Sequence, residues 1–459
     1  MQETSSSKMT AGERRATLGL AGVYGFRMLG LFLVLPVFAL FAEALPGATP
    51  LLIGLAVGIY GLTQAMLQVP FGLLSDRIGR KPVIFGGLLL FALGSLIAAL
   101  ATDIWFVIIG RAIQGAGAIS AAVMALAADL TREEQRTKAM ATIGITIGVS
   151  FMLAMLVGPA LGELFGVSGI FWLTTVMALL GIALVALVVP TPTRSFVHRD
   201  AETVPAMFRR VIRNVDLLRL DFGIFTLHLI LTALFLAVPL VLRDLGLPPA
   251  QHGLLYLPVM LGSLAVMVPF IILAERRGMA KQVLLGAILS MVVAQLALGY
   301  SIASFWGFVA ALVLFFSAIN LLEAMLPSLV SKVAPVEAKG TAMGVYSSSQ
   351  FVGAFSGGLI GGWVHQQFGF AAVFAAGAAA ATVWLLVASG MRKPGRYSSR
   401  LVNIGPTDSP AAGDLVARLR DVPGVVEAVV VAEEGVAYLK VDRDRLDARA
   451  LDEIMARPA

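Results

Sequence analysis

Four ionisable side chains, Arg27, Arg111, His228 and Glu323, stand inside long apolar runs. A charge surrounded by hydrocarbon is costly, so an ionisable residue in such a run is a functional candidate by default. Glu323 offers a carboxyl that can carry a proton or hold a cation, because a carboxyl taken out of water exchanges its proton nearer neutrality. Its plainer use is as a neutral, hydrogen-bonded link between helices. His228 titrates near physiological pH when unperturbed, and a lone histidine serves equally well as polar glue. Arg27 and Arg111 are expected to face a bundle interior, Arg111 either in proton coupling or in interhelical hydrogen bonding.

A second group of candidates lies between two apolar runs, in Gly72-Leu-Leu-Ser-Asp76-Arg77-Ile-Gly79-Arg80-Lys81-Pro82. So much charge in a short turn must sit at the water interface. Asp76 falls at a helix end, where a carboxylate can approach the positive N-terminus of another helix. Gly72 and Gly79 permit close approach and a tight turn. Arg77 and Arg80 can pair with Asp129 or with lipid phosphate. This reads as a conformational latch, or as a topology signal alone. A third stretch, Gly158-Pro159-x-x-Gly162, combines a helix-kinking proline with glycines that allow another helix close. It serves either as a seal or as an ordinary kink.

The elements that must hold these residues follow from composition. The chain has 459 residues, 58% hydrophobic and 14% charged, against about a quarter charged in ordinary soluble domains. Apolar runs of about 18 residues or more fall near 16–42, 50–74, 82–101, 104–128, 138–163 and 168–190, and again near 220–242, 250–274, 281–301, 304–330, 339–364 and 369–390. A polar, basic linker over 191–219 divides the two sets. The first run is too long for a signal-peptide core and lacks a convincing cleavage site, so it is expected to be retained. The net charge of +6 is spread over short turns rather than gathered in one domain, which argues against a nucleic-acid partner. Those turns follow the even-numbered runs, with Arg243 as the exception on the other side, so both termini and the linker are expected in the cytoplasm. With no cysteine, thiolate metal sites and disulfides are excluded, and neither a metal nor a cofactor is expected.

The two sets repeat. Pro70, Phe71, Asp76, Arg77 and Gly79 recur at one offset as Pro269, Phe270, Glu275, Arg276 and Gly278, and Gly144, Gly158 and Gly162 recur as Gly344, Gly358 and Gly362. Repeated halves that pack as two bundles place a substrate site between them near the midplane.

Three motifs in matching spans then carry a family resemblance. Gly72-x-Leu74-x-Asp76-Arg77-x-Gly79-Arg80-Lys81 resembles motif A of the major facilitator superfamily, Arg111-x-x-Gln114-Gly115-x-Gly117 resembles motif B, and Ala154-x-x-x-Gly158-Pro159-x-x-Gly162 resembles the antiporter motif C. Motif C departs from its pattern at Ala154 and Glu163. The nearer likeness is to the drug:proton antiporter branch, among bacterial inner-membrane proteins with a cytoplasmic C-terminal domain. Arg27-Met28-Leu29-Gly30, Leu321–Leu329 and Lys339–Tyr346 carry it. The resemblance implies that Asp76 approaches span eleven in the outward-facing state, and that Gly158 and Pro159 seal the periplasmic side.

After 399 the composition becomes that of a small soluble domain, with strands over 401–404, 425–432 and 436–441 and helices over 411–421 and 446–456. The order βαββα is similar to a ferredoxin-like domain, and the loop 405–412 has no cysteine for a metal. Regulation or self-association through an unpaired sheet edge is the expected role.

The expected fold is an all-α membrane protein with twelve transmembrane helices in two pseudo-symmetric six-helix bundles, plus a small α+β domain. Its parts are a tail (1–15), the first bundle (16–190), the linker (191–219), the second bundle (220–390), a short link (391–398) and the domain (399–459). The expected function is proton-coupled export of amphipathic small molecules across the bacterial inner membrane, with the proton, an unidentified small molecule and the bilayer as partners and no enzymatic step. Uptake by symport or uniport, or a membrane sensor whose appended domain binds a ligand, remain the alternatives.

Overall fold

The computed structural model describes residues 8–191, 205–335, 338–392, 397–404, 409–431, 436–442 and 445–456. Residues 192–204 of the linker, the loop 405–408 and the first residues of the tail lie outside them.

Helix boundaries follow local capping chemistry. Thr10 opens α1 (Ala11–Leu33) with a capping box, its hydroxyl accepting from the Glu13 N–H while the Glu13 carboxylate accepts from the Thr10 N–H. Glu13 also accepts from Arg132 at 2.8 Å, tying the start of α1 to the turn before α7. The first apolar run is not one helix. It loosens over residues 34–37, around Pro36, and resumes as α2 (Phe38–Ala42). Thr49 caps α3 (Pro50–Ile78), with Pro50 in the first turn. Gly79, at φ 98°, turns the chain directly into α4 (Arg80–Ala99), a backbone shape that a side chain would strain. Asp103 caps α5 (Ile104–Ala116), and α6 (Ser120–Asp129) continues after a break at 117–119.

The expected fifth and sixth spans form the two arms of α7 (Glu133–Leu187), which reverses at Gly166, where φ is 65°. In the linker, α8 (Pro205–Ile212) precedes α9 (Val215–Asp244). Capping by Asn214 starts α9 ahead of the apolar run, bringing Asp216 and Arg219 into the helix. Then follow α10 (His252–Arg276), α11 (Ala280–Tyr300), α12 (Phe305–Val333), α13 (Lys339–Phe368) and α14 (Phe370–Ser389).

Among the described residues, ten helices are long and apolar enough to cross a membrane. The difference from the expected twelve has two causes. The arms of α7 run on through the kink at Gly166 as one element, and α13, thirty residues long, is diluted by Ser347, Ser348, Ser349 and Gln350.

Two sets of helices pack around separate cores. One, with Phe308, Phe315, Phe316 and Trp384, joins α9 to α14. The others, with Phe38, Phe171, Ile84 and Leu126, join α1 to α7. The halves meet where α3 crosses α13. A Cβ on Gly54 would fall 2.1 Å from the Gly358 carbonyl oxygen, and one on Gly58 2.7 Å from that of Phe355. Only glycine lets the backbones touch so closely. Nearby, the Leu51 N–H donates to Gln366 Oε1 at 3.2 Å, and Arg243 pairs with Glu43 across the halves at 2.7 Å. The one basic residue out of place in the charge pattern is therefore a bridge. All these contacts lie at the end away from the charged turns.

The C-terminal unit contains β1 (Tyr397–Asn403), α15 (Ser409–Arg420), β2 (Val425–Val431), β3 (Val436–Asp442) and α16 (Ala448–Ala456). Its antiparallel sheet has the order β1-β3-β2 over a core of Leu415, Leu419, Ala428, Leu439 and Leu451. The first strand begins at Tyr397, earlier than the apolar pattern suggests. Polar Ser398, Ser399 and Arg400 take their places in it by pairing with Val441, Lys440 and Leu439 of β3.

This unit touches the bundle. Lys440 is buried and donates to the carbonyls of Ala334, at 3.1 Å, and Val333, at 3.4 Å, at the end of α12. Arg210 of α8 pairs with Glu427 of β2 at 3.7 Å. Burial pushes the Lys440 ammonium below its ordinary value, while Glu427 raises it and Lys339 lowers it.

Candidate functional site

In the first half, the arginines come together around one aromatic ring. Arg27 of α1 donates to the Tyr60 hydroxyl and to Gln64 Oε1 of α3, both at 2.8 Å, and to the Gly117 carbonyl at 3.1 Å. That carbonyl is available because the chain breaks between α5 and α6. Arg111 of α5 donates to Gln114 Oε1 at 2.8 Å and to the carbonyls of Ala56 and Val57 at 3.3 Å, and its guanidinium lies 5.0 Å over the Tyr60 ring. Gln114 passes the chain on to Ser95 at 2.6 Å. Both guanidinium groups are almost wholly buried. Among the described residues their contacts are with neutral dipoles and aromatic faces, which solvate a cation but do not neutralise it.

In the second half, His228 of α9 and Glu323 of α12 come together, with His228 Nε2 3.4 Å from Glu323 Oε1. Gln350 of α13 also approaches that ring nitrogen, at 2.8 Å. The Glu323 side chain is 36% exposed. A histidine partner and an open face therefore surround it. One ring nitrogen cannot accept from the Gln350 amide N–H and donate to Glu323 at once, so charging the ring requires its partners to rearrange.

The charged turn forms a compact knot. Arg80 pairs with Asp76 of its own turn and with Asp129 at the end of α6, at 3.5 Å, and donates to Ser75 at 2.7 Å. Arg77 is exposed. Gly72 faces Ala121 of α6, where an added Cβ would sit 3.4 Å away. Asp76 thus engages its own half, and the contact with the start of α13 implied by the resemblance is absent among the described residues.

Gly158 and Gly162 pack on the loosened stretch of the first span. A Cβ on Gly158 would lie 3.1 Å from the Pro36 ring, and one on Gly162 2.3 Å from Val37. Pro159 lies inside the same helical arm.

Sequence reasoning missed Tyr60, Gln64, Gln350 and Asp221. Tyr60 and Gln64 stand one turn apart on α3, a polar stripe in an apolar run that could have signalled a buried partner. Gln350 closes the serine run of α13. Asp221 lies at the edge of its apolar run, which hid it.

The sequence profile of the Major Facilitator Superfamily matches residues 20–218 and 220–422. The inner membrane transport protein YajR of Escherichia coli K12 is 50% identical over 435 residues, covering 95% of this chain and 96% of YajR. The multidrug resistance protein MdtH of Edwardsiella ictaluri is 24% identical over 343 residues, covering 74% and 84% of the two chains. A bacterial homologue of the human lysosomal transporter Spinster, solved in an inward-facing and occupied conformation, superposes with a TM-score of 0.65 at 14% identity, covering 84% of this chain and 98% of that one. The chain belongs to the Major Facilitator Superfamily, as a multi-pass secondary transporter of the inner membrane and not an enzyme.

Proposed function

We propose that the chain is a proton-coupled exporter of amphipathic small molecules, built of twelve spans in two six-helix bundles that alternate access. The observation that carries this reading is the His228–Glu323 pair, a carboxylate and a protonatable ring facing each other on two apolar helices. A proton on the ring favours the pair and a proton on the carboxyl weakens it, so proton traffic changes how α9 and α12 hold together. The multidrug name of the MdtH relative supports amphipathic cargo, as do the aromatic walls of the core. In this reading α13 is the eleventh span, and the arms of α7 are the fifth and sixth.

The Asp76 knot acts as a latch in the opposite state, when the charged ends close and Asp76 approaches the start of α13. Support comes from its present arrangement, held within its own half while the opposite end is shut. The C-terminal unit is read as a ferredoxin-like domain with regulatory or self-associating use, since among the described residues β1 and β2 each leave one edge unpaired within the sheet.

Thermal-shift screening of purified protein supplies a substrate, and substrate-driven pH changes are then followed in proteoliposomes. Those changes are expected to disappear in Glu323→Gln or Arg111→Ala. Proton flux equal to wild type in both variants refutes the reading.

A further inference from the structure

Asp221 of α9 is 6% exposed, and among the described residues neither of its carboxyl oxygens has a hydrogen-bond partner. An ionised carboxylate held that way, without donor or cation, costs several kcal/mol. Native proteins rarely leave such a group without a purpose.

Its placement is equally specific. Asp221 precedes His228 by seven residues, two turns of the same helix, so both lie on one side of α9 about 10 Å apart. Across from them, α13 carries Tyr346 and, one turn later, Gln350, which contacts His228. Tyr346 itself is buried. The other charged groups near this end of α9 have partners or lie apart. Arg219 pairs with Asp216 at 2.9 Å, Arg210 of α8 pairs with Glu427, Lys339 opens α13, and α14 presents the neutral Trp384 against Gly223.

We propose that Asp221 is a second proton-carrying carboxyl, set between the basic, cytoplasmic end of α9 and the His228–Glu323 pair, and that it exchanges protons with that pair. The proposal rests on the proton-coupled reading given above. The proton thereby gains a stop on the cytoplasmic side of the site.

The test is infrared difference spectroscopy of the full-length protein in lipid during pH jumps, with carbon-13 at the aspartate carboxyls. A protonated-carboxyl band that shifts with the label and vanishes in the near-isosteric Asp221→Asn is the expected result. The unlabelled Glu323 band should persist in that variant and vanish in Glu323→Gln. The label assigns the aspartate in the wild-type chain, so the test holds even where the variant folds poorly. Absence of a labelled, pH-sensitive protonated band, or its survival in Asp221→Asn, overturns the proposal. Proteoliposome flux separates the two readings. Loss of flux in Glu323→Gln with wild-type flux in Asp221→Asn rejects the Asp221 relay alone, whereas undiminished flux in Glu323→Gln and Arg111→Ala rejects proton coupling itself.

Discussion

Gly54→Ala is expected to open the end that this structure holds shut. The added methyl carbon would lie 2.1 Å from the Gly358 carbonyl oxygen, a backbone atom that cannot swing aside, so α3 and α13 must part by roughly 1 Å. Overpacking of this kind costs about 1–3 kcal/mol, and at about 1.4 kcal/mol per tenfold the closed population falls by about 5- to 150-fold relative to the open one. The Glu43–Arg243 bridge at the same end is the natural rival. Its side chains are 41% and 39% exposed, and solvent screening leaves such a pair worth about 0–1 kcal/mol, or at most about fivefold. Backbone contact, not charge, is therefore expected to dominate closure. The chain contains no cysteine, so Ala44→Cys and Gln367→Cys give a single spin-label pair across the closed end. Double electron–electron resonance should show one short distance in that background and a second, longer population in Gly54→Ala. Gly358→Ala should behave alike, since its Cβ would sit 2.4 Å from the Gly54 carbonyl oxygen. An unchanged short distance in both glycine variants, with broadening in Arg243→Ala, would refute the reasoning.

Other outcomes follow from the same structure. Arg80→Ala removes a buried guanidinium shared by Asp76, Asp129 and Ser75, and breaking a buried pair costs about 3–5 kcal/mol, so the melting temperature in detergent should drop markedly and Arg80→Lys should recover part of it. Docking of the C-terminal unit should strengthen as pH climbs toward the ordinary lysine value of 10.5, because the released Lys440 binds its proton more tightly than the docked one and the free state takes up more protons below that value. Protease accessibility of the segment between α14 and β1 reads this out, and Lys440→Met should flatten the pH dependence.

Much of the architecture is legible in the residues. The apolar runs, the charged turns and the repeat from Asp76 to Glu275 place nearly every helix, because composition must match the solvent a segment lies in. What hydropathy cannot register is local backbone chemistry. Asn214 moves the start of α9 ahead of its apolar run, Pro36 loosens the first span, and seven cross-strand pairs draw Tyr397 and two serines into β1. The candidate site shows the same divide. Arg27, Arg111, His228 and Glu323 stand out as charges in apolar sequence, but their partners do not. Tyr60, Gln64 and Gln350 are ordinary residues until folding brings them within 2.8 Å of those groups.

The grip of Lys440 on the last carbonyls of α12 has a mechanical meaning. Glu323 lies eleven residues before Ala334, about 16 Å back along that element. The soluble unit is thus a handle fixed to the rod that bears the Glu323 carboxylate. A force applied to its sheet is thereby passed to the rod.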